Sequence, residues 1–79
     1  MADKMIHVGF DNYIFRNYIV AIAKPDSAPI KRSINNAMDK SVIIDMTKGR
    51  KTKSVIYTQS KYIILSCLTP ETIKGRLEE

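Results

Sequence analysis

The sequence has few of the residues that hold small proteins together by covalent bonds or metal ions. Its 79 residues contain one cysteine, Cys67, one histidine, His7, and no tryptophan. One cysteine cannot form an internal disulfide, and one cysteine with one histidine cannot complete a structural zinc site. A chain this short buries only about 60–65 % of its unfolded surface on folding. We therefore expect self-association to supplement a thin core.

Long apolar runs and export signals are also missing. No apolar run approaches the roughly 18 residues of a membrane span. Residues 1–7 contain no apolar segment of the signal-peptide type. A single thiol without an export signal is typical of a reducing compartment. We expect a cytoplasmic protein that has no membrane partner.

Motifs for catalysis or cofactor binding are absent as well. The sequence has no glycine-rich phosphate loop, no metal-ligand spacing and no nucleophile motif. A catalytic role for His7 would need a partner, which the sequence does not place, so we expect it at the surface or at an interface. Asp45 follows an apolar segment, and we expect it to pair with a cation or cap a loop. The prediction is a protein that is not an enzyme, without cofactor, metal or small-molecule substrate.

Negative charge is missing from one region of the chain. Residues 46–70 contain no acid and five cations: Lys48, Arg50, Lys51, Lys53 and Lys61. The formal charge of the chain is +5, so the rest of it is neutral. Such an unbalanced basic segment favours a polyanionic partner, with DNA, RNA and an anionic membrane surface as candidates. A solvated loop that only aids solubility is the alternative.

The hydrophobic pattern predicts strands over residues 5–10, 13–23, 42–46, 54–58 and 62–68. Ile6, Val8 and Phe10 are expected on one face of the first strand, and Arg16-Asn17 is expected to break the second. Helices are predicted over about residues 27–40 and 70–77, each with a capping residue and a proline in its first turn. Residues 47–52 are predicted to form a loop, which we call, together with Lys53, the basic loop.

This order of elements predicts one α+β domain over residues 1–79. It contains a mostly antiparallel sheet, one main helix and a short C-terminal helix. The predicted sheet has more strands than a single helix can cover. An exposed sheet face or edge favours pairing with another copy of the chain.

Four segments, in order and at matching spacing, resemble the RemA family of extracellular-matrix regulatory proteins. They are Gly-Phe-Asp-Asn at residues 9–12, Pro-Asp-Ser-Ala-Pro-Ile-Lys-Arg at 25–32, Ile-Asp-Met-Thr-Lys-Gly-Arg-Lys-Thr at 44–52 and Leu-Ser-Cys-Leu-Thr-Pro-Glu-Thr at 65–72. The Ser-Ala-Pro-Ile-Lys-Arg run and the Gly-Arg-basic-Thr loop are the most specific parts. The likeness extends from Ile6 to Leu77.

The resemblance implies a small bacterial cytoplasmic protein that binds double-stranded DNA without a helix-turn-helix. Members of the family activate transcription of biofilm-matrix genes and assemble into ring-like homo-oligomers. In a ring, the basic loop would be repeated along one duplex. The residues alone leave two alternatives open. One is an RNA-binding post-transcriptional regulator with Tyr13 or Tyr62 stacking on bases, and the other is an oligomeric interaction module that binds no nucleic acid.

By resemblance, Arg50 and Lys51 take the place of the family's paired loop arginines, and Pro29 and Arg32 match its helix-start motif. Gln59-Ser60 replaces a more acidic family turn. The DNA-binding residues predicted from the resemblance and from the charge pattern together are Arg50, Lys51, Lys48, Lys53, Arg16, Tyr18 and Arg32.

One position departs from the family pattern. The family carries an arginine after the asparagine that Asn17 matches, and here Tyr18 occupies that position. A regular strand would place Arg16 beside Tyr18 on one face. Arg16 is therefore predicted to provide the second charged contact with DNA.

Overall fold

The computed structural model describes residues 4–79, which form six strands, two α-helices and one 3-10 helix. These elements are β1 (Met5–His7), β2 (Tyr13–Phe15), the 3-10 helix (Arg16–Tyr18), β3 (Ile19–Ala23), α1 (Ala28–Asp39), β4 (Ile43–Asp45), β5 (Ser54–Thr58), β6 (Ile63–Ser66) and α2 (Pro70–Leu77). The predicted α+β class, with one main helix and a short C-terminal helix, is confirmed.

Both helices begin where their capping signals indicated. Ser27 is the N-cap residue of α1, although its side chain makes no capping hydrogen bond. At α2, the Thr69 hydroxyl oxygen accepts a hydrogen bond from the Thr72 N–H, and Pro70 occupies the first position. Within residues 4–79, neither helix is long and apolar enough to cross a membrane.

The strands form two sheets. A four-stranded sheet has the order β3-β5-β6-β4, and β1 with β2 forms a separate antiparallel hairpin. The pairs β3–β5 and β5–β6 are antiparallel, whereas β4–β6 is parallel. The parallel pair arises because α1 carries the chain from one edge of the sheet to the other. The mostly antiparallel prediction is therefore confirmed, with β3 and β4 as edge strands.

Both faces of the four-stranded sheet are covered, so of the predicted exposed face or edge the structure leaves the edges. Alternate residues of β5 and β6 point to opposite faces. On one face α1 packs its buried residue Ala37 against Val55 and Ile63. The other face packs against the β1–β2 hairpin and α2, in a cluster of buried residues comprising Ile6, Val8, Ile14, Ile56, Ile64 and Ile73. The surfaces left open are the strand edges and the outer face of the hairpin.

The edge strand β3 contains a bulge at Val20. Ile19 pairs with Thr58 and Ala21 with Tyr57, so two steps along β3 match one step along β5. The additional residue resets the alternation, which allows Ile19 and Ile22 to pack against the same core cluster. Val20 is 65 % exposed as a result.

The sheet has two ends, which organise the rest of the molecule. At one end, called the loop end, β4 leads into the basic loop, β3 leads toward α1, and β6 leads toward α2. At the other, called the turn end, residues 59–62 join β5 to β6 and the 3-10 helix enters β3. The five residues of β5 separate the two ends by about 13 Å.

Candidate nucleic-acid interface

The basic loop turns sharply at Lys48 and Gly49. Both residues have positive φ, +54° and +80°, and the Arg50 N–H donates a hydrogen bond of 3.0 Å to the Thr47 carbonyl oxygen. Two central residues with positive φ are typical of a type I′ turn, in which glycine is favoured at the second position. The turn therefore presents Lys48 and Arg50 on either side of its tip.

Both flanks of the basic loop are hydrogen-bonded to β6. The Met46 N–H donates to the Leu65 carbonyl oxygen at 3.0 Å, and the Lys53 N–H donates to the Ser66 carbonyl oxygen at 2.9 Å. Because both ends of the loop are hydrogen-bonded to the sheet, the backbone that carries the cations is fixed at each end.

Asp45 caps the start of the loop, as expected from the sequence. Its Oδ1 accepts hydrogen bonds from the Thr47 hydroxyl at 2.6 Å and from the Thr47 N–H at 2.9 Å. These two bonds, with the side-chain bond contributing most, hold the pKa of the Asp45 carboxyl below its usual value. Thr47 is only 2 % exposed, so this residue packs at the edge of the core and holds the start of the loop there.

The four cations of the basic loop are all exposed: Lys48, Arg50, Lys51 and Lys53. Two of them contact an aromatic ring from another part of the chain. The Lys48 Nζ lies 5.4 Å and the Arg50 Cζ lies 5.6 Å from the centroid of the Phe10 ring. Both distances are within the range of a cation–π interaction. Phe10 is not among the site residues that the sequence predicts.

Phe10 lies in the tight turn between β1 and β2, so its predicted place on the apolar face of a strand is wrong. Phe10 and Asp11 both have positive φ, +52° and +62°, and the Asn12 N–H donates to the Gly9 carbonyl oxygen at 3.0 Å. Residues with a side chain adopt such a conformation at a cost of about 1–2 kcal/mol each. The sequence signal was present in Asp11-Asn12, which was correctly identified as a turn.

Gly9 lets this turn approach the sheet closely. Its φ is +111°, and an added Cβ atom would lie 3.1 Å from the Cys67 Sγ. The Ser66 hydroxyl also donates a hydrogen bond of 2.8 Å to the Val8 carbonyl oxygen. These contacts fix the tip of the hairpin beside the basic loop.

The predicted residue Arg32 and a shallow cavity both lie toward the loop end. Arg32 is exposed on the second turn of α1, the helix that starts from this end of the sheet. A shallow cavity of about 220 Å³ lies beside the basic loop, and its basic lining residues are Lys24, Lys51 and Lys53. Asp26 and Glu71 also line it, so its charge is mixed.

Arg16 and Tyr18 lie at the turn end, away from the basic loop. The Tyr18 hydroxyl donates a hydrogen bond to the Ser60 hydroxyl, and the Gln59 N–H donates to the Tyr18 carbonyl oxygen. Arg16 is exposed in the 3-10 helix. The expected side-by-side arrangement of Arg16 and Tyr18 on a regular strand is wrong, because residues two apart in a 3-10 helix point about 120° apart.

The chain is similar to a known family and to several bacterial proteins. The sequence profile described as extracellular matrix regulatory protein A-like matches residues 5–77. A protein of Dehalococcoides mccartyi named as regulatory is 53 % identical over 77 residues, covering 98 % of this chain and 80 % of the relative. Proteins with similar names from Clostridium botulinum and Natranaerobius thermophilus are 51 % and 47 % identical over 77 residues. Each of these alignments covers 98 % of this chain, with 85 % and 86 % of the two relatives respectively.

Proposed function

This chain belongs to the family of extracellular matrix regulatory protein A-like proteins, and we propose that it is an oligomeric regulator of transcription that binds duplex DNA through the basic loop. The family description names regulation of the extracellular matrix, and the proposal takes genes of the biofilm matrix as the targets and activation as the effect. A cytoplasmic, nucleoid-associated location follows from this proposal.

One observation carries the proposal. Four exposed cations stand on a loop that is hydrogen-bonded to the sheet at both flanks and capped by Asp45. A solubilising loop has no need of such anchoring. Ordered cations lose less conformational entropy when they contact phosphates, and an arginine also reaches base edges or a narrow minor groove.

A single loop of this size is a weak ligand for DNA. Each phosphate contact adds modest affinity, which decreases as the salt concentration rises. Several copies of the loop on one assembly would act together through effective concentration. The proposal therefore includes a homo-oligomer, ring-like in the manner of the family, that contacts one duplex at several points.

Two open surfaces support self-association. Within residues 4–79 the edge strands β3 and β4 have no second neighbour in the sheet. Two different edges on one molecule favour head-to-tail contacts, which close into a ring when the rotation allows it. In addition, the outer face of the hairpin exposes about half of Met5, Tyr13 and Phe15, an apolar surface suited to an interface.

The secondary contact is expected to come from the turn end. Because about 13 Å of β5 separates Arg16 from the basic loop, one protomer would reach separate phosphates with its two ends. A neighbouring protomer of the ring would provide the alternative source of the second contact. Tyr18, whose hydroxyl already donates to Ser60, supplies no charge there.

The test compares binding of the intact protein to duplex DNA, a scrambled duplex and single-stranded RNA at about 0.1 M salt, by fluorescence anisotropy. Replacing Arg50 and Lys51 together with alanine should abolish duplex binding. The matched control removes two exposed cations outside both proposed contacts, Lys40 at the end of α1 and Lys74 in α2, and should retain most of the affinity. Unchanged duplex binding by the Arg50/Lys51 variant would contradict the proposal.

The exposed aromatic residues of β2 favour a second candidate, an RNA-binding regulator. Tyr13 and Phe15 alternate along the strand and are both about half exposed, which suits stacking on single-stranded bases. Tighter binding of single-stranded RNA than of duplex DNA in the same assay would favour this candidate. Replacing Tyr13 with alanine should then weaken RNA binding.

A further inference from the structure

The β1–β2 turn and the basic loop come from distant parts of the sequence and meet at one aromatic ring. Lys48 approaches the Phe10 ring to 5.4 Å and Arg50 approaches it to 5.6 Å, measured from the cation to the centroid. The two cations lie on either side of the tip of the basic loop, so the ring touches both arms of its turn. One side chain thus contacts half of the loop's cations.

Burial does not account for the position of Phe10. Its side chain is 39 % exposed, and it belongs to neither of the two buried core clusters. Its backbone adopts a positive φ of +52°, a conformation that is rare for a bulky residue. At the first central position of a type I′ turn, asparagine or glycine would fit without strain. The fold therefore maintains a disfavoured backbone that exposes an aromatic residue.

Several hydrogen bonds hold the backbone of this turn in its conformation. The Val8 N–H donates to the Asn12 carbonyl oxygen at 2.8 Å. The Gly9 carbonyl oxygen accepts from both the N–H and the side-chain amide of Asn12, each at 3.0 Å. The Asp11 N–H donates to the His7 Nε2 at 3.2 Å. Strain that is held in place in this way accumulates at functional sites.

We infer that Phe10 is the positioning residue of the DNA-binding loop: its ring restrains Lys48 and Arg50 in the arrangement that meets the duplex. This inference rests on the proposed function. The face of an aromatic ring attracts cations electrostatically without neutralising them, whereas a carboxylate in the same place would cancel their charge toward phosphate. Phe10 reduces the side-chain freedom that the two cations lose on binding.

Replacing Phe10 with glycine separates this role from a structural one. Glycine adopts positive φ readily, so Phe10→Gly should fold and assemble with an unchanged or higher thermal unfolding temperature. The same variant should bind duplex DNA roughly tenfold more weakly, which corresponds to about 1.4 kcal/mol. The slope of log affinity against log salt should stay the same, because no cation is removed.

Two conservative variants test whether the aromatic face itself is responsible. Phe10→Tyr keeps a ring and should bind like the unmodified protein, whereas Phe10→Leu keeps apolar bulk without a ring and should bind like Phe10→Gly. Tyr62→Leu is the matched control, since Tyr62 is 38 % exposed and its ring also lies beside a cation, Lys61, at 5.8 Å, but outside the basic loop and the hairpin face. It should leave duplex affinity unchanged.

The outcomes distinguish this inference from the proposed function. Unchanged affinity of Phe10→Gly or Phe10→Leu, weakened binding by Phe10→Tyr, or equal loss in Tyr62→Leu would overturn the role of Phe10. If the Arg50/Lys51 double alanine variant still loses binding, the proposed function stands without a role for Phe10. If the double variant binds normally, both fail together.

Discussion

The hydroxyl of Thr47 should be required for a stable basic loop, and Thr47→Val tests this. Valine has nearly the same shape but removes the 2.6 Å hydrogen bond to Asp45, while the bond from the Thr47 N–H remains. A hydrogen bond to a charged group contributes about 1.5–3 kcal/mol. Asp45 is exposed and water replaces part of the lost bond, so we expect a loss of about 1 kcal/mol.

Thermal unfolding measures this loss directly. For a domain of about 60–100 residues, 1 kcal/mol lowers the unfolding temperature by about 4–8 °C. Thr52→Val is the matched control, because Thr52 lies in the same loop and is half-buried. The control should shift the unfolding temperature much less. Equal shifts in the two variants would refute the argument that the cap on Asp45 stabilises the loop.

The pH dependence gives a second readout of the same bond. The folded pKa of Asp45 lies below its ordinary value of 3.8, so its contribution to stability is fully present above that pH. The contribution is lost as the pH falls through the folded pKa. The difference in stability between the unmodified protein and Thr47→Val should therefore be present at neutral pH and shrink below pH 3.8. A difference that persists unchanged in acid would contradict this account.

Three further substitutions test the fold and the second contact. Gly9→Ala should lower the free energy of unfolding by about 1–3 kcal/mol, measured by thermal unfolding, because Gly9 has a positive φ and an added Cβ would lie close to the Cys67 Sγ. The control Gly75→Ala should not destabilise the protein, since no atom lies within 4 Å of the added Cβ. Arg16→Ala should weaken duplex binding and lower the slope of log affinity against log salt by about one, and Tyr18→Arg should strengthen duplex binding. If neither variant changes duplex affinity, the turn end is excluded as a DNA contact. Ile22→Glu should lower the unfolding temperature, because Ile22 packs against the buried core, and an unchanged temperature would contradict that assignment.

The sequence was most informative for features that neighbouring residues determine, such as strand patterns and helix-capping residues. Short runs rich in β-branched and aromatic residues located β5 and β6, and the capping residues Ser27 and Thr69 located the starts of both helices. These features depend on residues adjacent in sequence, so pattern analysis recovers them. The charge distribution similarly identified the basic loop, because an acid-free window requires no knowledge of the fold.

The sequence was least informative where distant segments decide the local conformation. Phe10 fits the apolar alternation of the first strand, but contacts of the turn with β6 and the basic loop place it at positive φ. The bulge at Val20 is visible only in the register of β3 on β5. The 3-10 helix at Arg16–Tyr18 packs on the turn between β5 and β6. That packing separates Arg16 from the loop with which it was predicted to act.

The salt dependence of duplex binding tests the central claim most directly. For the unmodified protein, log affinity should fall linearly with log salt by about 0.9 for each phosphate neutralised. The slope should be smaller by about 0.9 per bound protomer when either Arg50 or Lys51 alone is alanine, and unchanged when Lys40 and Lys74 are alanine. A flat salt dependence, or the same slope in the Arg50→Ala and Lys51→Ala single variants as in the unmodified protein, would show that the basic loop does not face the DNA.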